Sequence, residues 1–208
     1  MLTQADIDER RQAARKRELV ERLLPAVEQL LEEMPFALLS VEQILNATAM
    51  SRSTFYRYFS DKNEMLLAIC EPALEEIMVD ALAPWKLGPA VSKSQFEETM
   101  YQAMETYRPH VTLMTAMVEV AAFDAGVKER FLSFFKLVET AVADYIRAGQ
   151  KDGVMRKDLD PETTAGWITW MSERGMTQLV PAANAARRRK LAKSVAAIIW
   201  HSVYEAAE

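Results

Sequence analysis

Residues 40–64 carry three helix-start signals in close succession, and these constrain the fold more tightly than any other feature of the chain. Ser40-Val41-Glu42-Gln43 reads as a capping box, a serine cap with a glutamine three residues on. Ser51 is placed to accept from the amide of Thr54 and so to open a second helix. Asp61-Lys62-Asn63-Glu64 is a further capping box that opens a third. The first of these helices runs through Ile44 and Ala47, and the chain turns at Thr48-Ala49-Met50. Helix, short turn and second helix with polar outward residues is the helix-turn-helix layout, in which the second helix enters a DNA major groove.

The composition of the second helix points the same way. Arg52, Ser53, Tyr56 and Arg57 share one helical face, while Phe55 and Phe59, four residues apart, lie opposite and anchor the segment to a core. Arginine can bridge guanine edges, hydroxyls meet bases or phosphates, and an aromatic ring can meet a thymine methyl. We expect Arg52, Ser53 and Tyr56 against base edges, with Thr54, Arg57, Tyr58 and Lys62 on phosphates. Lys62 sits beside a helix N-terminus, a natural place for a phosphate clamp. The cap residues Ser40 and Ser51 complete the DNA-binding set. The competing reading is an ordinary helical hairpin with a polar surface.

Taken together, Ser40-Val41, Ile44, Ala47, Ser51, Thr54-Phe55-Tyr56-Arg57-Tyr58-Phe59, Lys62 and Glu64 to Leu67 resemble the TetR family of one-component transcriptional regulators. The family usually has Ala-Gly at the turn, where this chain has Thr48-Ala49, so a left-handed turn there would carry a Cβ penalty. Leu45 stands where alanine is usual, implying a slightly repacked first helix. The resemblance implies a DNA-binding head over residues 1–66, with its motif at about 40–59, and a ligand-binding and dimerisation body over 67–208.

Charge is distributed as such a protein needs. The 208 residues sum to −5, yet residues 10–22 hold six basic side chains against two acidic ones. A basic edge on an acidic body fits a site-specific binder better than a condensing protein. The same run also reads as a solvated helix face. Cys70 is the only cysteine, which excludes an intrachain disulfide, fits the cytosol and suits a small buried residue. The polar N-terminus does not read as a signal peptide. No apolar run approaches the roughly 20 residues that span a bilayer. A cytoplasmic protein with no membrane partner is expected.

Periodicity is helical nearly everywhere, and the expected fold is all-α with nine helices. The first runs from about 6 to 33, with Pro25 as a kink or a true start; the fourth runs from 62 to about 82, with a kink at Pro72. Residues 85–93, with Pro84 just before and Gly88 and Pro89 within, read as a linker. The remaining helices are placed at 94–107, 109–123, about 127–152, 161–180, and from a cap at Asn184 to the C-terminus. Gly153 reads as a stop, and Asp160-Pro161 as a start.

In the C-terminal half, Phe96 and Tyr107 share one stripe, and Phe131, Phe135 and Val138 another. On the eighth helix Thr169, Ser172, Glu173 and Met176 form a mixed face, and buried polar groups need partners. An apolar cavity with a few convergent polar groups is what a small-molecule site looks like. Trp170-Met171-Ser172-Glu173-Arg174 and Ile199-Trp200-His201-Ser202-Val203-Tyr204 resemble the ethionamide-resistance-regulator branch of the family. That resemblance implies a tunnel for a small hydrophobic effector, walled by Phe96, Tyr107, Phe131, Phe135, Val138, Thr169, Ser172, Glu173 and Trp200. It also implies a homodimer through the eighth and ninth helices, where Trp170, Met171, Leu191, Val195, Ile198 and Ile199 are apolar. Two heads then read two half-sites of a palindromic double-stranded DNA operator.

The expected function is a repressor released by its effector, through a shift of the fourth helix. Two rival classes are a helical ligand-binding or interaction protein without specific DNA binding, and an enzyme using Glu173. The two histidines, His110 and His201, read as local hydrogen-bonding groups, and no phosphate loop, metal cluster or nucleophile motif is present. No catalytic residue, metal ligand or cofactor is expected.

Overall fold

The computed structural model describes residues 3–204. Among them are nine α-helices: α1 (Gln4–Glu33), α2 (Val41–Thr48), α3 (Arg52–Tyr58), α4 (Lys62–Lys86), α5 (Lys93–Tyr107), α6 (Val111–Ala121), α7 (Ala125–Asp152), α8 (Pro161–Leu179) and α9 (Ala185–Val203). Two 3-10 turns, Phe36–Leu38 and Arg108–His110, join α1 to α2 and α5 to α6. The helices fall into two compact units. One reaches to Pro72 and takes in Thr112–Glu129; the other takes Ala73–Val111 and the chain from Arg130 onward.

The cap signals of the first unit form as the sequence leads one to expect. Ser40 Oγ accepts from Gln43 N at 3.2 Å and Ser51 Oγ from Thr54 N at 3.1 Å. The turn after α2 closes with Ala49 N–H on the Asn46 carbonyl and Met50 N–H on the Leu45 carbonyl. Ala49 holds the left-handed conformation, φ 51°. This is the paired-bond helix ending that glycine usually supplies, so here a Cβ sits where it costs energy. The core of the unit is Leu23, Val27, Phe36, Leu39, Ile44, Phe55, Phe59, Met65 and Leu66, with Leu113, Met117 and Val120 of α6.

The second unit is built around an apolar cluster from α5, α7, α8 and α9 that includes Phe96, Val142, Ile146, Ile168, Ala196 and Ile199. Trp85, Phe96 and Tyr145 meet at ring separations of 5.6 to 6.4 Å. Arg156 N–H donates to the Val203 carbonyl at 3.0 Å, tying the α7–α8 connection to the end of α9.

Several boundaries differ from those read in the sequence. α1 is a single helix through Pro25, opened by a Thr3 and Asp6 capping box. α4 continues through Pro72 and Pro84 to Lys86, so Trp85 is helical rather than part of a linker. The connection shrinks to residues 87–92, because Ser92 and Gln95 make an additional capping box for α5. Gly153 has φ 74° just beyond α7, Asp160 caps α8 and Asn184 caps α9. No described helix is long and apolar enough to cross a membrane.

Candidate functional site

The face of α3 is laid out by its caps and by two phenylalanines. Phe55 and Phe59 are fully buried, their rings 5.5 Å apart, and this leaves the opposite face outward. Arg52, Ser53, Tyr56 and Arg57 are exposed, and Thr54 and Tyr58 are half-buried beside them. Arg52 pairs with Glu42 of α2 at 3.0 Å, with both side chains mostly in solvent. An exposed pair of this kind is worth about 0–1 kcal/mol, so the guanidinium is readily transferred to a stronger anion. Ser40 and Ser51 lie at the mouth of the motif, with their hydroxyls engaged in capping. Ser40 Oγ donates to Gln43 Oε1 at 2.9 Å, and Ser51 Oγ lies 2.8 Å from Thr54 Oγ1.

Lys62 departs from the phosphate clamp the sequence implies. Its ammonium turns inward and donates to the carbonyls of Phe36 and Ala37 at 3.0 Å and of Leu39 at 2.6 Å. Partial burial lowers its pKa, opposed by the charge of Glu119. Its positive charge serves the carbonyls at the end of the 3-10 turn, of which that of Phe36 also accepts from the Leu39 amide.

A second basic feature takes its place. Arg11, Gln12 and Arg15 of α1 and Arg57 and Tyr58 of α3 line a cleft of about 350 Å³. Three guanidiniums around one concavity make a polyanion-binding surface. The sequence signal for it was the basic run at residues 10–22.

The second unit holds a narrow apolar cavity of about 70 Å³. Of the expected wall residues, Tyr107, Phe135, Val138, Thr169, Ser172 and Glu173 line it. Phe96 instead packs between Trp85, Tyr145 and Trp200, and Trp200 stacks on Tyr204 at 3.9 Å. Phe131 packs on Phe135 and Trp170. The sequence reading missed the α4 wall, which is Ile77, Ala81, Pro84 and Trp85, and also Met100 and Phe134, while Met176 of the mixed α8 face does line the cavity.

The polar groups of the cavity form a directed chain. Thr177 Oγ1 donates to Glu173 Oε1 at 2.8 Å, and Tyr107 OH lies 3.3 Å from Thr177 Oγ1. The Thr177 proton has two acceptors on Glu173, the carboxylate and the backbone carbonyl at 3.0 Å, and with its one proton so used Thr177 accepts from the tyrosine. Burial and the charge of Glu173 push the Tyr107 pKa up to about 12, against the Thr177 hydrogen bond. Thr169 Oγ1 and Ser172 Oγ are buried with no hydrogen-bond partner.

Other candidate groups are locally occupied. Cys70 is buried with its thiol 3.9 Å from the Leu113 carbonyl, and burial raises its pKa to about 12, which makes it unreactive. His110 meets Glu76 at 3.2 Å and His201 meets Lys93 at 3.1 Å.

A helix-turn-helix with a basic and aromatic outward face, on an all-α scaffold, defines a transcriptional regulator that binds DNA. Residues 23–69 match the family of bacterial regulatory proteins of the tetR type. The HTH-type transcriptional regulator EthR of Mycobacterium tuberculosis is 28% identical over 181 residues, covering 83% of this chain and 81% of the relative. The ketosteroid transcriptional regulator KstR2 of Mycobacterium tuberculosis has the same fold, with a TM-score of 0.69 at 15% identity over 90% of this chain and 95% of the other. A TetR transcription regulator from Haloarcula marismortui superposes with a TM-score of 0.67 at 18% identity, covering 90% and 99%. Residues 23–69 thus match the DNA-binding domain of TetR-family regulators, and over most of its length the chain is similar to a regulator of that family.

Proposed function

We propose that the chain is a homodimeric repressor that leaves a palindromic operator when a small, largely hydrophobic effector enters its second unit. In this reading residues 1–66 act as the DNA-binding head, residues 67–208 bind effector and partner copy, and the protein works in the cytoplasm. The observation that carries the DNA reading is the division of α3, with Phe55 and Phe59 buried and Arg52, Ser53, Tyr56 and Arg57 outward. Base edges fall to Arg52, Ser53 and Tyr56, and phosphates to Arg57, Tyr58 and the α1 arginines. Lys62 is assigned a structural part.

Dimerisation is supported by exposed apolar side chains on α8 and α9. Trp167 is 79% exposed and Ile198 53%, with Trp170, Met171 and Leu179 also outward. Such a patch is large for a free surface. Ile199, named with these from the sequence, is buried in the core and is left out of the interface.

The cavity supports effector binding by its lining rather than its size. Sites for drug-sized ligands run about 300–1,000 Å³, so the walls must part to admit one. Met100, Met176 and Phe134 are the adaptable walls. Coupling then requires the effector to favour the conformation that binds DNA less well. α4 supplies residues to both units and is the element such a shift would move.

Tyr56→Ala tests the docking. Operator affinity should fall by about 1–3 kcal/mol, the usual cost of a lost base contact, while sedimentation shows an unchanged dimer. Undiminished operator affinity would contradict the docking.

A further inference from the structure

We propose that the effector of this regulator carries a protonated amine at one end of an apolar body, and that the Glu173 carboxylate receives it. The inference rests on the reading of the second-unit cavity as the effector site, and adds the chemistry of what enters.

Glu173 is 9% exposed, yet among the described residues no basic side chain pairs with it. Its side-chain hydrogen-bond partner is the hydroxyl of Thr177, which reaches one of the two carboxylate oxygens. An uncompensated buried carboxylate is costly, and a protein keeps one where something arrives to neutralise it. The Thr177 hydroxyl is shared between this carboxylate at 2.8 Å and the Glu173 backbone carbonyl at 3.0 Å, and Tyr107 OH lies 3.3 Å from it.

A second observation is independent of the charge. Thr169 is 4% exposed, and its hydroxyl oxygen, like that of Ser172, is buried without a partner while its residue lines the same cavity. A primary ammonium group offers three donors and no acceptor. The acceptors that await it are the carboxylate of Glu173 and the hydroxyls of Thr169 and Ser172. An alcohol cannot neutralise the carboxylate, and a carboxylic acid would place like charge beside it. None of the cavity's lining residues is a lysine, arginine or histidine, so nothing in the wall competes for Glu173. The rest of the lining, including Ile77, Ala81, Trp85 and Val138, fits an apolar chain or ring.

The test titrates the full-length protein with n-octylamine, n-octanol and octanoate at neutral pH, read by tryptophan fluorescence (Trp85 lines the cavity) and by calorimetry. The expected order is amine at least tenfold tighter than alcohol, with octanoate weakest. In Glu173→Gln the amine should fall to the affinity of octanol, and octanol should be unchanged. Should that variant not fold, Ser172→Ala should lower the ratio of amine to alcohol affinity severalfold. Octanol binding as tightly as octylamine, or an amine preference that survives these substitutions, overturns the proposal and leaves the effector site standing. No binding of any probe overturns the effector-site reading with it.

Discussion

The ammonium of Lys62 donates to the carbonyl of Leu39 at 2.6 Å, closing the first turn of α4 onto the segment that leads into α2. With the carbonyls of Phe36 and Ala37 it also satisfies the end of the 3-10 turn. Lys62 therefore fixes where α2 begins, and through α2 the direction in which α3 presents its outward face. Its ring contact with Phe36, 5.0 Å from ammonium to centroid, adds to this anchoring.

Lys62→Met removes a charged donor from three carbonyls that are partly buried or exposed. Stability should fall by about 1.5–3 kcal/mol, the range for hydrogen bonds to charged groups, as measured by denaturant unfolding. Because Lys62 does not face phosphates in this account, the salt slope of DNA binding should stay the same. Arg57→Ala should do the reverse, leaving stability nearly unchanged and lowering the slope by about 0.9, the value for one lost phosphate contact. A reduced slope for Lys62→Met would restore it as a phosphate clamp.

Ala49 occupies the left-handed conformation at the end of α2. An L-residue there costs roughly 1–2 kcal/mol, and glycine avoids this at some expense in unfolded-state entropy. Ala49→Gly should stabilise the protein by about 0.5–1 kcal/mol. The check is a rise in the denaturation midpoint at constant m-value. A lower midpoint would mean that the turn does not hold this conformation.

Glu64 holds the junction between α3 and α4, accepting from Ser60 N–H at 2.7 Å and from the Lys16 ammonium at 3.2 Å. The backbone hydrogen bond from Ser60 is the main cause of its lowered pKa, and Lys16 adds to it. A carboxylate whose folded pKa lies below its unfolded value stabilises fully above the unfolded value, near 4.3. That contribution disappears as the pH falls through the folded value. Wild type should exceed Glu64→Gln in stability at neutral pH, and the two should converge as the pH falls below the lowered folded value. Parallel curves from pH 7 to 3 would mean that the Glu64 charge does no work in the folded state.

The legible parts of this molecule are those set by neighbours in the chain. Ser40, Ser51, Asp160 and Asn184 were readable as caps because their partners lie three residues away. The buried and outward sides of α3 followed from the spacing of Phe55 and Phe59. The inward contacts of Lys62 were not legible because its carbonyl partners lie 23 to 26 positions back, and nothing local announces them. Pro84 and Trp85 looked like the start of a linker. The helix persists because Trp85 packs against Phe96 and Tyr145, and that packing outweighs the local cost of proline. The cavity was half readable. Its α8 face showed as polar residues on an apolar stripe, while its α4 wall depends on long-range packing. Phe96 and Trp200 have the right type for a wall, but they fill the space beside the cavity by stacking on other rings.

The central claim is sequence-specific DNA binding through α3, and fluorescence anisotropy across a salt series tests it most directly. The DNA is the segment upstream of the protein's own gene, compared with a scrambled duplex of the same length. Binding to the upstream segment should saturate and be at least about a thousandfold tighter than to the scrambled one at physiological salt. Equal, weak and steeply salt-dependent binding to every duplex tried, genomic operator candidates included, would reduce the basic face to phosphate attraction and contradict the account.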